Sequence, residues 1–134
     1  MAEGKVAFEL VSPERLLLSQ EVDMVVVPGE EGDFGVLERH SPMISTLRPG
    51  VIQVHDGGSV AESIFVAGGF AEVTPTRCTV LAEEALPVGE IDRAATEQRL
   101  SNAKDDLIDA KDDAEKAVAE RQIKVAEEML KAAG

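Results

Sequence analysis

The sequence predicts an all-β, antiparallel sandwich domain followed by a C-terminal α-helical hairpin. A period of two, typical of strands, runs through residues 6–11, 22–27, 60–66 and 78–82; in the first, Val6, Phe8 and Leu10 fall on one face and Ala7 and Glu9 on the other. After residue 90 there is no proline or aromatic residue, no glycine before Gly134, and mostly good helix formers. We therefore predict a β-sandwich over residues 1–86, and a linker with two helices over residues 87–134.

Glycine and proline separate the alternating runs at short intervals, as in antiparallel sheets. These turn signals are Pro28-Gly29, Pro49-Gly50, Asp56-Gly57-Gly58-Ser59 and Thr74-Pro75-Thr76. The two glycines after Asp56 predict a tight hairpin, because glycine accepts the positive φ that such turns need. We read residues 83–90, which contain Pro87 and Gly89, as a linker.

The C-terminal part carries two apolar stripes at helical spacing. They are Ile91, Ala95, Leu100, Ala103 and Leu107, then Ala114, Val118, Val125 and Met129. Residues 105–113 between them are rich in aspartate, which caps helices and disfavours their interiors. We predict a break there; one continuous helix is the alternative, since no glycine or proline enforces the turn.

Composition argues against several classes of function. A net charge of −13 repels nucleic acid and anionic lipid, and 3% aromatic residues offer few stacking platforms. No apolar run is long enough to span a membrane, and the N-terminus does not resemble a signal peptide. The single cysteine, Cys78, fits a reducing compartment and a place in the core, so we expect a cytosolic protein.

No catalytic or metal-binding constellation stands out. Gly29, Gly32 and Gly35 are followed by no Lys-Ser/Thr and are interleaved with acids, so an exposed acidic turn is favoured over a phosphate loop. His40 beside Ser41 lacks an orienting acid and is interpreted as a structural or interface histidine. We expect no metal, no cofactor and no enzymatic activity of the chain itself.

Three motifs carry a resemblance to a known family. The stretch from Pro28 to Gly50 (PGEEGDFGVLERHSPMISTLRPG) resembles the signature of the epsilon subunit of bacterial F-type ATP synthases, the counterpart of the mitochondrial delta subunit. A Gly-Gly-hydrophobic-x-Glu-Val motif begins at Gly68, and the linker runs into Ile91-Asp92. The resemblance covers essentially the whole chain.

The resemblance implies a non-catalytic central-stalk subunit that couples rotation of the gamma subunit and the c ring to ATP synthesis. It implies peripheral attachment to the proton-translocating enzyme at the cytoplasmic face of the bacterial inner membrane. By resemblance, the partner-binding residues are Glu30, Glu31, Asp33, His40 and Ser41.

In the family, the C-terminal helices can extend into the alpha/beta head and inhibit ATP hydrolysis through basic residues. The candidates for such contacts here are Arg93, Arg99, Lys111, Lys116, Arg121 and Lys124. Some members bind ATP through Ile/Leu-Asp-x-x-Arg-Ala; this chain keeps Ile91 and Asp92 but has Ala95 at the arginine position and Thr96 at the alanine position. We therefore expect a vestigial motif with weak or no ATP binding.

Two other hypotheses remain open from the sequence. The chain could be a free-standing module that binds a small ligand or peptide on its sandwich, or, less favoured, an enzyme. Co-purification with alpha, beta and gamma subunits would separate the first of these from a rotary ATP synthase subunit.

Overall fold

The N-terminal unit is one curled sheet. The structure, a computed structural model, describes residues 4–13 and 15–134, without the side chain of Arg15. It divides into two compact units, residues 1–87 and 88–134. The strands of the first are β1 (Val6–Ser12), β2 (Arg15–Val22), β3 (Met24–Gly29), β4 (Gly32–Val36), β5 (Met43–Leu47), β6 (Gly50–Asp56), β7 (Ser59–Val66), β8 (Gly69–Val73), β9 (Arg77–Ala82) and β10 (Ala85–Pro87).

The strands follow one another across the sheet in the order β10-β7-β6-β3-β5-β8-β9-β1-β2, and β4 pairs with β3. Strands β1 and β9 pair in parallel, whereas the other neighbours are antiparallel. The sheet curls on itself so far that β2 and β7, near its opposite ends, come into contact. Gln20 on β2 donates a hydrogen bond of 3.1 Å to Glu62 on β7. The predicted sandwich is confirmed, with a single parallel pair that the sequence did not indicate.

The concave face of the curled sheet forms the hydrophobic core. Phe8, Leu10, Ile52 and Val80 are fully or almost fully buried there, together with a majority of the valines in the strands. Cys78 is also buried in this core, as predicted. Gly57 and Gly58 both have positive φ in the β6–β7 turn, which confirms the predicted hairpin.

Two local predictions in this unit were wrong. Residues 22–27 are not one strand: β2 ends at Val22 and β3 begins at Met24, with Asp23 at the bend between them. Within the predicted linker, Ala85–Pro87 pairs with β7 as a short edge strand. Proline tolerates an edge position, so Pro87 marks the end of the sheet rather than a free connection.

The second unit is a helical hairpin preceded by a 3-10 turn, Val88–Glu90. Helix α1 spans Arg93–Asp109 and α2 spans Asp113–Ala133. Asp92 and Asp112 cap the starts of α1 and α2 by accepting hydrogen bonds from backbone amides, and the cap at Asp112 lies within the predicted break. The alternative of one continuous helix is wrong.

The stripes predicted on these helices were only partly right. Ala103, Val125 and Met129 are buried, but Thr96 and Ala119 are buried where Ala95 and Val118 had been expected. The predicted spacing therefore found part of each buried face, and near the start of each helix the buried residue is the next one along the chain.

Candidate partner-binding surface

The acidic turn, which we define as Gly29–Gly32, joins β3 to β4 as a tight hairpin. Gly29 pairs with Gly32, and the side chains of Glu30 and Glu31 between them are exposed. A Cβ on Gly29 would lie 2.7 Å from the Gly32 carbonyl oxygen, so the turn closes this tightly only with glycine there. The Glu30 amide donates a 2.9 Å hydrogen bond to the Thr46 carbonyl, which ties the turn to β5.

Arg48 braces this turn from the side. Its Nη1 donates to the Gly29 carbonyl at 2.5 Å, and its Nη2 pairs with Asp33 Oδ1 at 2.5 Å. The Arg48 amide also donates to the Pro28 carbonyl. The Asp33 carboxylate binds Arg48 and is still 59% exposed, so its contact with a partner stays a prediction, as it does for Glu30 and Glu31.

His40 and Ser41 lie in a loop, residues 37–42, at the other end of β4 from the acidic turn. His40 Nδ1 is 2.8 Å from the Ser41 carbonyl oxygen. The Arg39 amide donates to the Pro75 carbonyl, and Arg39 has a φ of 63°. The five predicted partner residues therefore form two separate groups, one at each end of β4.

A groove of about 440 Å³ extends from the acidic turn along β5. Its lining includes Glu30, Glu31, Phe34, Met43 and Ile44. Ile44 is 72% exposed, which is unusual for a branched apolar residue in the middle of a sheet. The lining of the groove thus combines two acidic side chains with three apolar ones.

Ile44 belongs to a larger feature, the outer apolar row, which crosses five adjacent strands on the convex face. Phe70 pairs with Leu81, Leu81 pairs with Val11, and Val11 pairs with Leu16. Ile44 is the diagonal neighbour of Phe70, because Thr46 lies opposite Phe70. The members of the row are Ile44, Phe70, Leu81, Val11 and Leu16.

The outer apolar row is open to solvent. Phe70, Leu81 and Leu16 are each at least half exposed. A second groove runs along it, lined by Val11, Pro13, Phe70 and Leu81 among others. Sequence reasoning missed this surface, because its members come from strands far apart in the chain and only the pairing register aligns them.

Three of the six basic residues proposed for inhibitory contacts already bind groups within the hairpin. Arg93 donates to the carbonyls of Gly134 and Leu130, Arg99 donates to Gln122, and Lys124 pairs with Glu128. The other three, Lys111, Lys116 and Arg121, are exposed. The pairing with Lys124 and Lys131 holds the pKa of the Glu128 carboxyl below its usual value.

Asp92 of the vestigial ATP motif is the N-cap of α1. Its carboxylate accepts a 3.0 Å hydrogen bond from the Ala95 amide, and Ile91 immediately precedes it. Thr96, at the position where the motif has alanine, donates its hydroxyl to the Asp92 carbonyl at 2.7 Å. These residues are thus used to build the first turn of the helix.

Across residues 4–13 and 15–134, no group of three or more histidine, cysteine or acidic side chains could hold a metal ion. No helix in the same ranges is both long and apolar enough to cross a membrane.

The match to a known family covers the first of the two units of the chain. A family model described as the ATP synthase delta/epsilon chain, beta-sandwich domain, matches residues 5–88. Similar folds occur in solved mitochondrial ATP synthases of Euglena gracilis (OSCP/F1/c-ring) and Tetrahymena thermophila (central stalk/c-ring). The Euglena structure matches with a TM-score of 0.82 at 24% identity, over 98% of this chain and 82% of its own. The Tetrahymena structure matches with a TM-score of 0.68 at 16% identity, over 97% of each chain.

Bacterial relatives are much closer in sequence. The ATP synthase epsilon chain of Paramagnetospirillum magneticum is 64% identical over 109 residues, which are 81% of each chain. That of Rhodospirillum rubrum is 60% identical over 75% of each chain, and that of Parvibaculum lavamentivorans is 53% identical over 81% of this chain and 82% of its own. The resemblance in the motifs is therefore confirmed, and the chain belongs to the epsilon-chain family of bacterial ATP synthases.

Proposed function

We propose that this chain is the non-catalytic central-stalk subunit of a proton-translocating F-type ATP synthase. In this role the sandwich binds the gamma subunit and the c ring, and so couples their rotation to ATP synthesis. It works at the cytoplasmic face of the bacterial inner membrane without entering the bilayer. Family membership favours this function over a free-standing binding module or an enzyme.

The outer apolar row is the observation that carries the proposal. Soluble proteins seldom expose a contiguous apolar patch unless a partner covers it. The row is uncharged although the chain carries a net charge of −13, so an apolar protein surface suits it better than a charged one. We assign it to the gamma subunit, with Phe70 as the aromatic anchor, since large aromatic residues dominate binding energy in protein interfaces.

We assign the acidic turn to the c ring. Glu30 and Glu31 point outward from a turn that Arg48 and the Thr46 carbonyl hold in place. A braced turn keeps its charges in position under load, which suits a contact that transmits torque. The loop with His40 and Ser41 lies at the far end of β4 and would meet a different part of the stalk.

The hairpin is proposed to regulate ATP hydrolysis by opening toward the alpha/beta head. Lys111, Lys116 and Arg121 are exposed and ready for acidic partners, whereas Arg93, Arg99 and Lys124 would first have to leave their present partners. Part of the basic charge would therefore become available only when the hairpin opens.

The gamma-binding assignment can be tested with Phe70→Ala in the full chain. Burying a phenylalanine contributes about 1.5–3 kcal/mol, so we expect the Kd for purified gamma subunit to rise about 10- to 100-fold. Val60→Ala is the matched control, because Val60 is also an exposed apolar residue of the sheet but lies on β7, outside the row. Equal gamma affinity of the two variants would reject the assignment, and unchanged thermal unfolding would show that Phe70→Ala still folds.

A further inference from the structure

One side chain joins the two open ends of the hairpin. Arg93, the first residue of α1, donates from Nη2 to the carbonyl oxygen of Gly134 at 2.5 Å and of Leu130 at 3.5 Å. These partners are 41 and 37 residues away along the chain. Nη1 of the same guanidinium lies 3.6 Å from Glu97 Oε1, one turn further along α1.

The end of α2 suits a guanidinium. The last four carbonyls of a helix have no partner within the helix, and they carry the negative end of its dipole. Arginine has five N–H donors in a planar fork, so it can serve two carbonyls and a carboxylate together. The Gly134 amide closes the last turn on the Lys131 carbonyl, which leaves the Gly134 carbonyl directed outward to Arg93.

The rest of the seam between the helices is small and partly polar. Only Thr96 and Ala103 are fully buried on α1, and the buried residues of α2 are Ala119, Val125, Ala126 and Met129. The Thr96 hydroxyl lies 3.4 Å from Met129 Sδ, and Arg99 donates to Gln122 at 3.2 Å. Because such residues bury little apolar surface, the polar ties account for a larger share of the closure than in a leucine-rich hairpin.

We propose that Arg93 is a latch that holds the hairpin closed, and that its release from the end of α2 begins the opening. The latch is built from the chain itself, between the start of α1 and the end of α2. Closure then needs no bound ligand. This inference deepens the proposed regulatory function, but its test reads the closure of the hairpin directly and does not depend on ATP synthase activity.

The test is amide hydrogen exchange by NMR on the full-length chain. Arg93→Ala is expected to lower the protection of amides in residues 123–133 of α2 about 3- to 10-fold, as for loss of a half-exposed charged contact at a helix end. Amides of the β-sheet, residues 6–82, should keep their protection, which shows that the variant is folded. Fraying of the first turn of α1 would also expose the end of α2, because Thr96 contacts Met129 across the seam, so it needs a control of its own.

Two matched variants separate the latch from general effects. Glu97→Gln removes the ion pair on α1 but keeps the bonds to α2, so its α2 protection should stay within about twofold of the wild type. Arg93→Lys keeps the charge with fewer donors and should fall between wild type and Arg93→Ala. The latch is rejected if Arg93→Ala exchanges like the wild type, or if Glu97→Gln loosens α2 as much as Arg93→Ala does.

A changed exchange rate with unchanged regulation of ATP hydrolysis would have a different meaning. In that case the latch would be supported as a property of the hairpin, and the proposed inhibitory function would be rejected.

Discussion

At the scale of single residues, Arg48 defines the shape of the acidic turn. It binds the Gly29 carbonyl and the Asp33 carboxylate from β4 at the same time. Asp33 therefore balances a positive charge, while Glu30 and Glu31 remain to meet a partner. The stretch from Pro28 to Gly50, which contains Arg48, was recognised in the sequence, but the contact of Arg48 with the turn depends on how β3, β4 and β5 are arranged.

Gly69 is a second position where one residue determines the architecture. It has a φ of +134°, and a Cβ there would overlap the Leu81 carbonyl oxygen on the neighbouring strand. Only glycine lets β8 and β9 approach this closely. The same approach sets Phe70 opposite Leu81 and so fixes part of the outer apolar row.

The buried thiol of Cys78 gives a prediction for alkaline pH. Burial raises its pKa from 9.0 to about 12, so the folded chain keeps the proton longer than the unfolded chain. The resulting stability is complete below pH 9 and is lost as the pH rises toward 12, with a slope approaching about 1.4 kcal/mol per pH unit. Urea unfolding from pH 7 to 10.5 should therefore show the free energy of unfolding falling above pH 9.

Cys78→Ala is the control for that titration. It should be less stable at pH 7 but should lack the decline between pH 9 and 10.5. The sequence has no tyrosine, and Lys5, whose pKa is raised from 10.5 to about 12 by Asp23 and Asp56, adds the same loss to both proteins near the top of this window. Equal slopes in the two proteins would contradict the prediction.

At the scale of elements, the polar groups in the first turn of α1 already form hydrogen bonds within the chain. The Asp92 carboxylate accepts a hydrogen bond from the Ala95 amide, and the Thr96 hydroxyl donates one to the Asp92 carbonyl. Arg93 binds the end of α2. An ATP phosphate would find no arginine at position 95 to receive it.

We therefore expect no ATP binding tighter than millimolar in calorimetry on the isolated chain. The double variant Ala95→Arg, Thr96→Ala completes the sequence Ile-Asp-x-x-Arg-Ala and should bind ATP about 10- to 100-fold more tightly, as for a gained charge-assisted phosphate contact. Submillimolar binding by the unaltered chain would contradict this prediction, and so would a double variant with no gain.

Some strands and helices could be predicted from the local sequence pattern, and others could not. Alternation and turn residues predicted β1, β7 and β9, because a half-buried strand shows its period in sequence. The edge strand β10 lies in a stretch with proline and glycine nearby, so its pairing with β7 was not visible. The helix break was visible because aspartate caps act locally.

At the scale of the whole molecule, charge and architecture divide between two units. Residues 1–88 carry 14 acids and 5 bases, whereas residues 89–134 carry 12 acids and 8 bases. The first unit has its own valine-rich core, and the second is a hairpin with a small, partly polar seam. A stiff coupling unit and a more easily opened regulatory unit are consistent with this contrast.

Deletion of residues 89–134 tests the division of labour in the assembled enzyme. If the hairpin inhibits, ATP hydrolysis should rise by severalfold while the shortened chain still binds gamma subunit with wild-type affinity. Steady-state hydrolysis and gamma binding measured on the same preparation provide the check. Unchanged hydrolysis would remove the inhibitory function, and lost gamma binding would show that the sandwich does not bind gamma by itself.

The sequence by itself determined the two-part organisation, the β6–β7 hairpin, the helix break and the family, because these rest on residues close together in the chain. Only the tertiary structure decided three features: the outer apolar row, the brace from Arg48 and the latch at Arg93. Each joins residues far apart in the chain or lying on different elements, at positions fixed by strand register or by helix pairing. Local pattern carries no information on such register, so the surfaces proposed to meet partners emerged only from the fold.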